Sequence, residues 1–167
     1  MAAGQIQSHL SEHDLLRSLQ WAYRQHRSAK TALLKVKNDI LMNMEDRRVM
    51  LVVLLDLSAA FDNVDHGILL DRLQFDFGIS DSALNWIEPY LSNRTQRISM
   101  DGVLWNIFNL KSGIPQGSCL GPLLFFLYAS KLFKIVESHL FNLHCYADDT
   151  QLYILFRPGN DLEEAAA

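Results

Sequence analysis

The feature that most restricts this chain is the apolar run Val49–Leu55, VMLVVLL, which ends directly on Asp56. Its β-branched and aliphatic residues occupy both parities, the pattern of a strand covered on both faces. Seven residues make a strand and fall well short of the roughly twenty that cross a bilayer. An ionised carboxylate at the mouth of such a strand is costly to desolvate alone, so a cation belongs beside Asp56. Position alone leaves two readings open: a cap for a following helix through Asp56-Leu57-Ser58, and a ligand for a cation.

Helical and strand periods alternate around this run. Ile6, Leu10, Leu15, Leu16, Leu19 and Ala22 recur at helical spacing, with Ser11 offering a cap, so residues 5–22 predict one or two helices. Ala32, Leu33, Val36, Ile40, Leu41 and Met44 predict an amphipathic helix ending before Asp46. Phe61, Val64, Ile68, Leu69 and Leu73 return to the helical period, with Phe61 on the first turn and Gly78 as the stop. A helix over Asp81–Leu91 follows, with Ser80 as its cap. Asp101-Gly102, between Gln96-Arg97-Ile98 and residues 104–108, is a hairpin signal. Residues 118–136 carry a long apolar helical face, and two short strands, 139–146 and 150–156, flank Ala147-Asp148-Asp149. The order makes the chain α+β. No linker-like stretch divides it, and the acidic, alanine-rich residues 159–167 are expected to fray.

Two cysteines, Cys119 and Cys145, are too few for a disulfide framework and lack the spacing of a zinc site, which places the chain in a reducing, intracellular compartment, cytoplasm or nucleus. The N-terminus has no signal-peptide core, and no segment reads as membrane-spanning. The net charge of −4 argues against a nucleic-acid partner only on average. Residues 1–50 carry +3, residues 51–110 carry −5 and residues 111–167 carry −2. A basic first third ahead of an acidic centre suits a protein that holds a polyanion with one region and divalent metal with another; chance scatter of surface charge gives the same profile.

Asp148 and Asp149 form an acidic pair at the expected hairpin tip. Such a pair is commonly just a solvated turn. A third carboxylate at a neighbouring strand end adds repulsion that divalent cations relieve, and three such carboxylates can hold two magnesium ions. Two metals roughly 4 Å apart stabilise both the attacking and the leaving oxygen in phosphoryl transfer. Residues 112–118, Ser-Gly-Ile-Pro-Gln-Gly-Ser, open the long apolar helix, where free backbone N–H groups and a side-chain amide could face a substrate.

Three ordered blocks then carry a resemblance. Residues 54–66, LLDLSAAFDNVDH, then 113–118, GIPQGS, with 120–125, LGPLLF, then 146–150, YADDT, closely resemble the reverse transcriptase domain of non-LTR retrotransposons of the LINE type. Residues 20–34 are similar to the finger-region block of that family, so the resemblance covers about residues 5–157. It implies a palm of antiparallel strands backed by helices over residues 49–157. Part of the fingers would lie in residues 1–48, with a frayed tail at 158–167 and no thumb.

By the same resemblance, Asp56 and Asp148 are the main ligands of two Mg²⁺ ions, for which Mn²⁺ can substitute. The Leu57 carbonyl assists, and Asp149 completes the acidic cluster. Catalysis would then be in-line positioning plus charge stabilisation. Phe61 takes the place of the family aromatic under the sugar, where a ring leaves no room for a 2′-hydroxyl; as a residue in itself it reads as a core phenylalanine. Gln116 and Gly117 resemble the residues packed at nucleotide and template, and Arg24 the arginine that meets the triphosphate, with Arg27 and Lys30 as further candidates. Asp62, Asp65 and His66 read as capping or hydrogen-bonding residues, and Trp21, Trp86 and Trp105 as core.

The implied partners are an RNA template, a DNA primer and deoxynucleoside triphosphates. Another chain would cover palm surface that a missing thumb leaves exposed. Two further readings use the same residues: a catalytically inactive remnant that binds a partner with the same fold, and a metal nuclease, which leaves Phe61 unexplained.

Overall fold

Five helices and five strands follow one another in the computed structural model of the chain, which describes residues 2–15, 28–57, 59–139, 142–146 and 149–157. In order they are α1 (Ala2–Glu12), α2 (Ala29–Glu45), β1 (Val49–Leu55), α3 (His66–Phe75), α4 (Asp81–Leu91), β2 (Arg94–Met100), β3 (Val103–Leu110), α5 (Gly121–Glu137), β4 (Asn142–Tyr146) and β5 (Asp149–Phe156). The α+β expectation holds, with every strand pair antiparallel. Contacts gather these elements into two units, residues 1–15 with 59–129 and residues 16–58 with 130–167. The chain leaves the first unit, builds much of the second and then returns, so no linker composition marks the division.

In the second unit β5 is the central strand, flanked by β1 and β4. The α2 helix begins at Ser28, whose hydroxyl accepts from the Thr31 amide while the Thr31 hydroxyl accepts from the Ser28 amide, a reciprocal capping box. It packs against β1 and β4, and Tyr153 of β5 donates to Asp39 Oδ2 at 3.0 Å. The expectation that β1 is covered on both faces is corrected. Among the described residues it is an edge strand paired with β5, and Leu51 and Leu54 are 52% and 73% exposed. An unbroken apolar run reports the composition of a strand, not which elements cover it.

In the first unit, Leu69 and Leu73 of α3, Ile87 and Leu91 of α4, Leu10 of α1 and Leu123–Leu127 of α5 form the core. The α3 helix starts at His66, not at Phe61. The Asp65 carboxylate accepts from the Ile68 amide at 2.9 Å, and Ala59 at φ 52 turns the chain away from a helical path, so Phe61 and Val64 lie in the turn before it. Ser80 stands at the start of α4 but makes no side-chain cap; Asp81 at φ 51 diverts it, and the hydroxyl donates to Asp81 Oδ2. The β2–β3 ribbon turns at Asp101 and Gly102, both at positive φ, and carries a register shift between Arg97 and Ser99. Trp86 and Trp105, expected in the core, are 53% and 58% exposed; Trp105 lies on β3, where among its residues Leu110 alone is not exposed. Trp21 and the second helix expected before residue 22 lie outside the described residues.

Candidate active site

Strand register builds the acidic end of the sheet. β1 runs antiparallel to β5 and their ladder ends at Leu55 opposite Thr150, with Asp56 the residue that follows Leu55 and Asp149 the one that precedes Thr150. Asp149 also pairs with Tyr146 of β4, at the end where the two strands of that hairpin meet. Thr150 is buried while Asp56 and Asp149 are exposed. Water therefore solvates Asp56, and the desolvated carboxylate expected at the strand mouth is corrected. The helix-cap reading of Asp56 also falls, since the next helix begins ten residues later and is capped by Asp65.

Among the described residues no lysine or arginine forms an ion pair with Asp56 or Asp149. Their carboxylates are hard oxygen donors of the kind a divalent cation such as Mg²⁺ takes. Asp148 lies outside the described residues, and among the described residues no group of three metal-ligating side chains converges. Leu57 follows Asp56 and is exposed; Arg24 and Arg27 lie outside the described residues, and Lys30 is exposed near the start of α2.

A polar contact, Tyr153 to Asp39, joins the sheet to α2. Burial, then the hydrogen bond to Asp39 and the charge of that carboxylate, push the Tyr153 phenol up to about 12. Lys35 pairs with the same Asp39 one helical turn away.

In the other unit, the loop 112–118 is bolted to the turn that carries Phe61. The Gly113 amide donates to Val64 O at 2.8 Å and the Ile114 amide to Phe61 O at 2.8 Å. The Ser112 hydroxyl donates to Asp62 O at 3.0 Å. His66 Nε2 and the Arg94 guanidinium both reach the Gly113 carbonyl, at 2.8 and 3.1 Å. The expectation that this loop offers free N–H groups is corrected for Gly113 and Ile114, whose amides bind the chain itself. Gln116 and Gly117 are exposed, and the Gln116 amide donates to Asp62 Oδ1 at 3.3 Å. The Phe61 ring is half-buried and stacks on Phe125 of α5, centroids 5.0 Å apart.

The structure thus places Asp56 and Asp149 beside the last pair of the β1–β5 ladder within one unit, and Phe61, Gln116 and Gly117 on two joined segments within the other. Asp65 and His66 act as a cap and a hydrogen-bonding residue, as their place in the first motif suggests. Sequence reasoning missed Arg94 and the Tyr153–Asp39 contact. Both join residues far apart in the chain, 19 and 114 positions, with no local pattern to mark them.

Comparison with known proteins agrees in extent with these motifs. The family model described as reverse transcriptase (RNA-dependent DNA polymerase) matches residues 3–164. The RNA-directed DNA polymerase from mobile element jockey of Drosophila melanogaster is 31% identical over 136 residues, 78% of this chain and 15% of that protein. The probable RNA-directed DNA polymerase from transposon BS of the same species is 25% identical over 157 residues, 91% of this chain and 17% of that protein. The chain therefore spans about a sixth of these relatives' length. Among solved structures, telomerase from Candida albicans, in complex with a fragment of telomeric RNA, superposes with a TM-score of 0.68 at 13% identity, over 99% of this chain and 31% of that one. Apo telomerase from Candida tropicalis gives 0.67 at 15% identity, over 99% and 35%. At these identities the likeness is one of fold, and it is the polymerase fold.

Proposed function

The chain belongs to the reverse transcriptase (RNA-dependent DNA polymerase) family, and from that premise we propose that it supplies the nucleotidyl-transfer centre of a LINE-type mobile-element polymerase. In this reading it adds deoxynucleotides to a DNA primer on an RNA template. The single observation that supports the proposal is the β1–β5 register, whose last pair, Leu55 with Thr150, adjoins Asp56 of the first motif on one strand and Asp149 of the third on the other.

Asp56, Asp148 and the Leu57 carbonyl would hold two Mg²⁺ ions, or Mn²⁺ in their place, and Asp149 would complete the cluster. When bound, the ions neutralise charge on the triphosphate and the reacting oxygens. Phe61 bars a 2′-hydroxyl from the incoming sugar, Gln116 and Gly117 pack against nucleotide and template, and Arg24 meets the triphosphate. Residues 1–48 act as part of the fingers and residues 49–157 as the palm core. Each role rests on the residue's place in a matched motif, and for Phe61 also on its anchoring against Phe125, which fixes the ring rather than leaving it to swing.

The test is primer extension on an RNA template, with this segment replacing the corresponding one in a full-length mobile-element polymerase. Extension that is retained in the chimera and abolished by Asp148→Asn with Asp149→Asn supports the proposal. Extension that survives the double substitution, or a chimera that folds and binds template yet never extends, overturns it.

A further inference from the structure

Gly113 is restrained from every side. Its φ is +90, and a Cβ there would stand 3.0 Å from Asp62 O and 3.2 Å from Phe61 O, so only glycine allows the loop to approach the Phe61 turn this closely. Its amide is bound to Val64 O. Its carbonyl, which can only accept, receives from two side chains on different elements, His66 at the start of α3 and Arg94 at the start of β2. The bond therefore requires the His66 hydrogen on Nε2. Gly113 itself is buried, and the adjoining Ile114 side chain is in the core.

We propose that His66 and Arg94 are positioning residues: by donating together to the Gly113 carbonyl they hold the loop bearing Gln116 and Gly117 in register with the turn bearing Phe61, and so set the width of the nucleotide site. The inference rests on the nucleotide-binding reading of Phe61 and Gln116 given above. It adds two residues that touch no substrate. Two donors on one acceptor make the latch partly redundant, since either alone leaves the carbonyl bonded; losing both removes the side-chain hold on it and leaves the loop to its bonds with Phe61, Asp62 and Val64. That arrangement predicts coupling between the two side chains in a double-mutant cycle.

The test uses the chain itself with three readouts: amide exchange at Gly113 and Ile114, affinity for a deoxynucleoside triphosphate with Mg²⁺ by calorimetry, and the thermal transition. His66→Phe is expected to speed exchange at both amides and to weaken affinity about threefold, and His66→Phe with Arg94→Leu by about tenfold or more. His66→Gln, which keeps a donor at the position of Nε2, restores both. Leu73→Val, a core change in the same unit, is expected to lower the thermal transition and leave affinity unchanged, which separates positioning from general loss of stability. Exchange unaltered in the double variant overturns the latch. Faster exchange with unaltered affinity overturns its part in nucleotide binding. A wild-type chain that does not bind the triphosphate overturns the polymerase reading, and the positioning role with it, whatever the exchange rates.

Discussion

Asp39 accepts from Tyr153 at 3.0 Å while pairing with Lys35 on its own helix, and this one carboxylate ties α2 to the central strand of the sheet. The fold favours the neutral phenol, raised to about 12 from its ordinary 10.0. The stability it contributes is therefore fully present below pH 10 and is lost as pH rises from 10 towards 12. Tyr153→Phe is expected to cost about 1 kcal/mol at pH 8, solvent at the half-buried ring keeping the figure modest. The deficit should shrink towards zero at pH 11.5 in urea unfolding; a deficit that is constant or grows with pH would show that the hydroxyl bond is not its source. The neighbouring carboxylates show what a sequence discloses at this scale. Asp56 was visible because it breaks an apolar run, and Asp149 because it is half of an acidic pair. That both stand at the same end of the β1–β5 ladder follows from strand register, which the intervening 92 residues do not encode locally.

The β2–β3 ribbon depends on its turn more than on a core. Asp101 and Gly102 at φ 51 and 78 form the turn that twists with the strands, while every ribbon residue except Arg94 and Leu110 is exposed. Gly102→Val, placing a β-branched residue at positive φ, is expected to destabilise the ribbon by about 1–2 kcal/mol and to speed amide exchange across residues 94–110 without altering exchange in α3. Uniform exchange changes in both elements would contradict that independence. The ribbon was legible from Asp101-Gly102 alone, and α2, α4 and α5 were legible from their apolar periods, because turn chemistry and helical spacing are local. The start of α3 was not. Phe61 and Val64 continue the helical spacing of Ile68 and Leu69, but Asp65 bonds the Ile68 amide and fixes the first turn there. Periodicity does not distinguish residues in a helix from those packed just ahead of it. The exposure of β1 was hidden for a related reason: sequence reports that a strand is apolar, whereas burial depends on what lies over it.

Across the molecule, apolar side chains remain exposed on β1, on α2 at Leu33, Leu34 and Met42, and on the ribbon at Trp105 and Phe108. Exposed apolar side chains in such number drive association. Sedimentation of the isolated chain is therefore expected to show mass rising with concentration, and Leu51→Lys with Leu54→Lys to reduce it; a monomer at every concentration would contradict this. The net charge of −4 masks a basic first third and an acidic centre, and the acidic centre contains Asp56. The metal site proposed at the meeting ends of β1 and β5 is tested by Mn²⁺ titrated into the isotope-labelled chain and read through paramagnetic broadening of backbone amides. Selective broadening is expected at Leu55, Asp56, Asp149 and Thr150, and is expected to disappear with Asp56→Asn and Asp149→Asn together. Broadening centred on other carboxylates, or unchanged in that double variant, would contradict it.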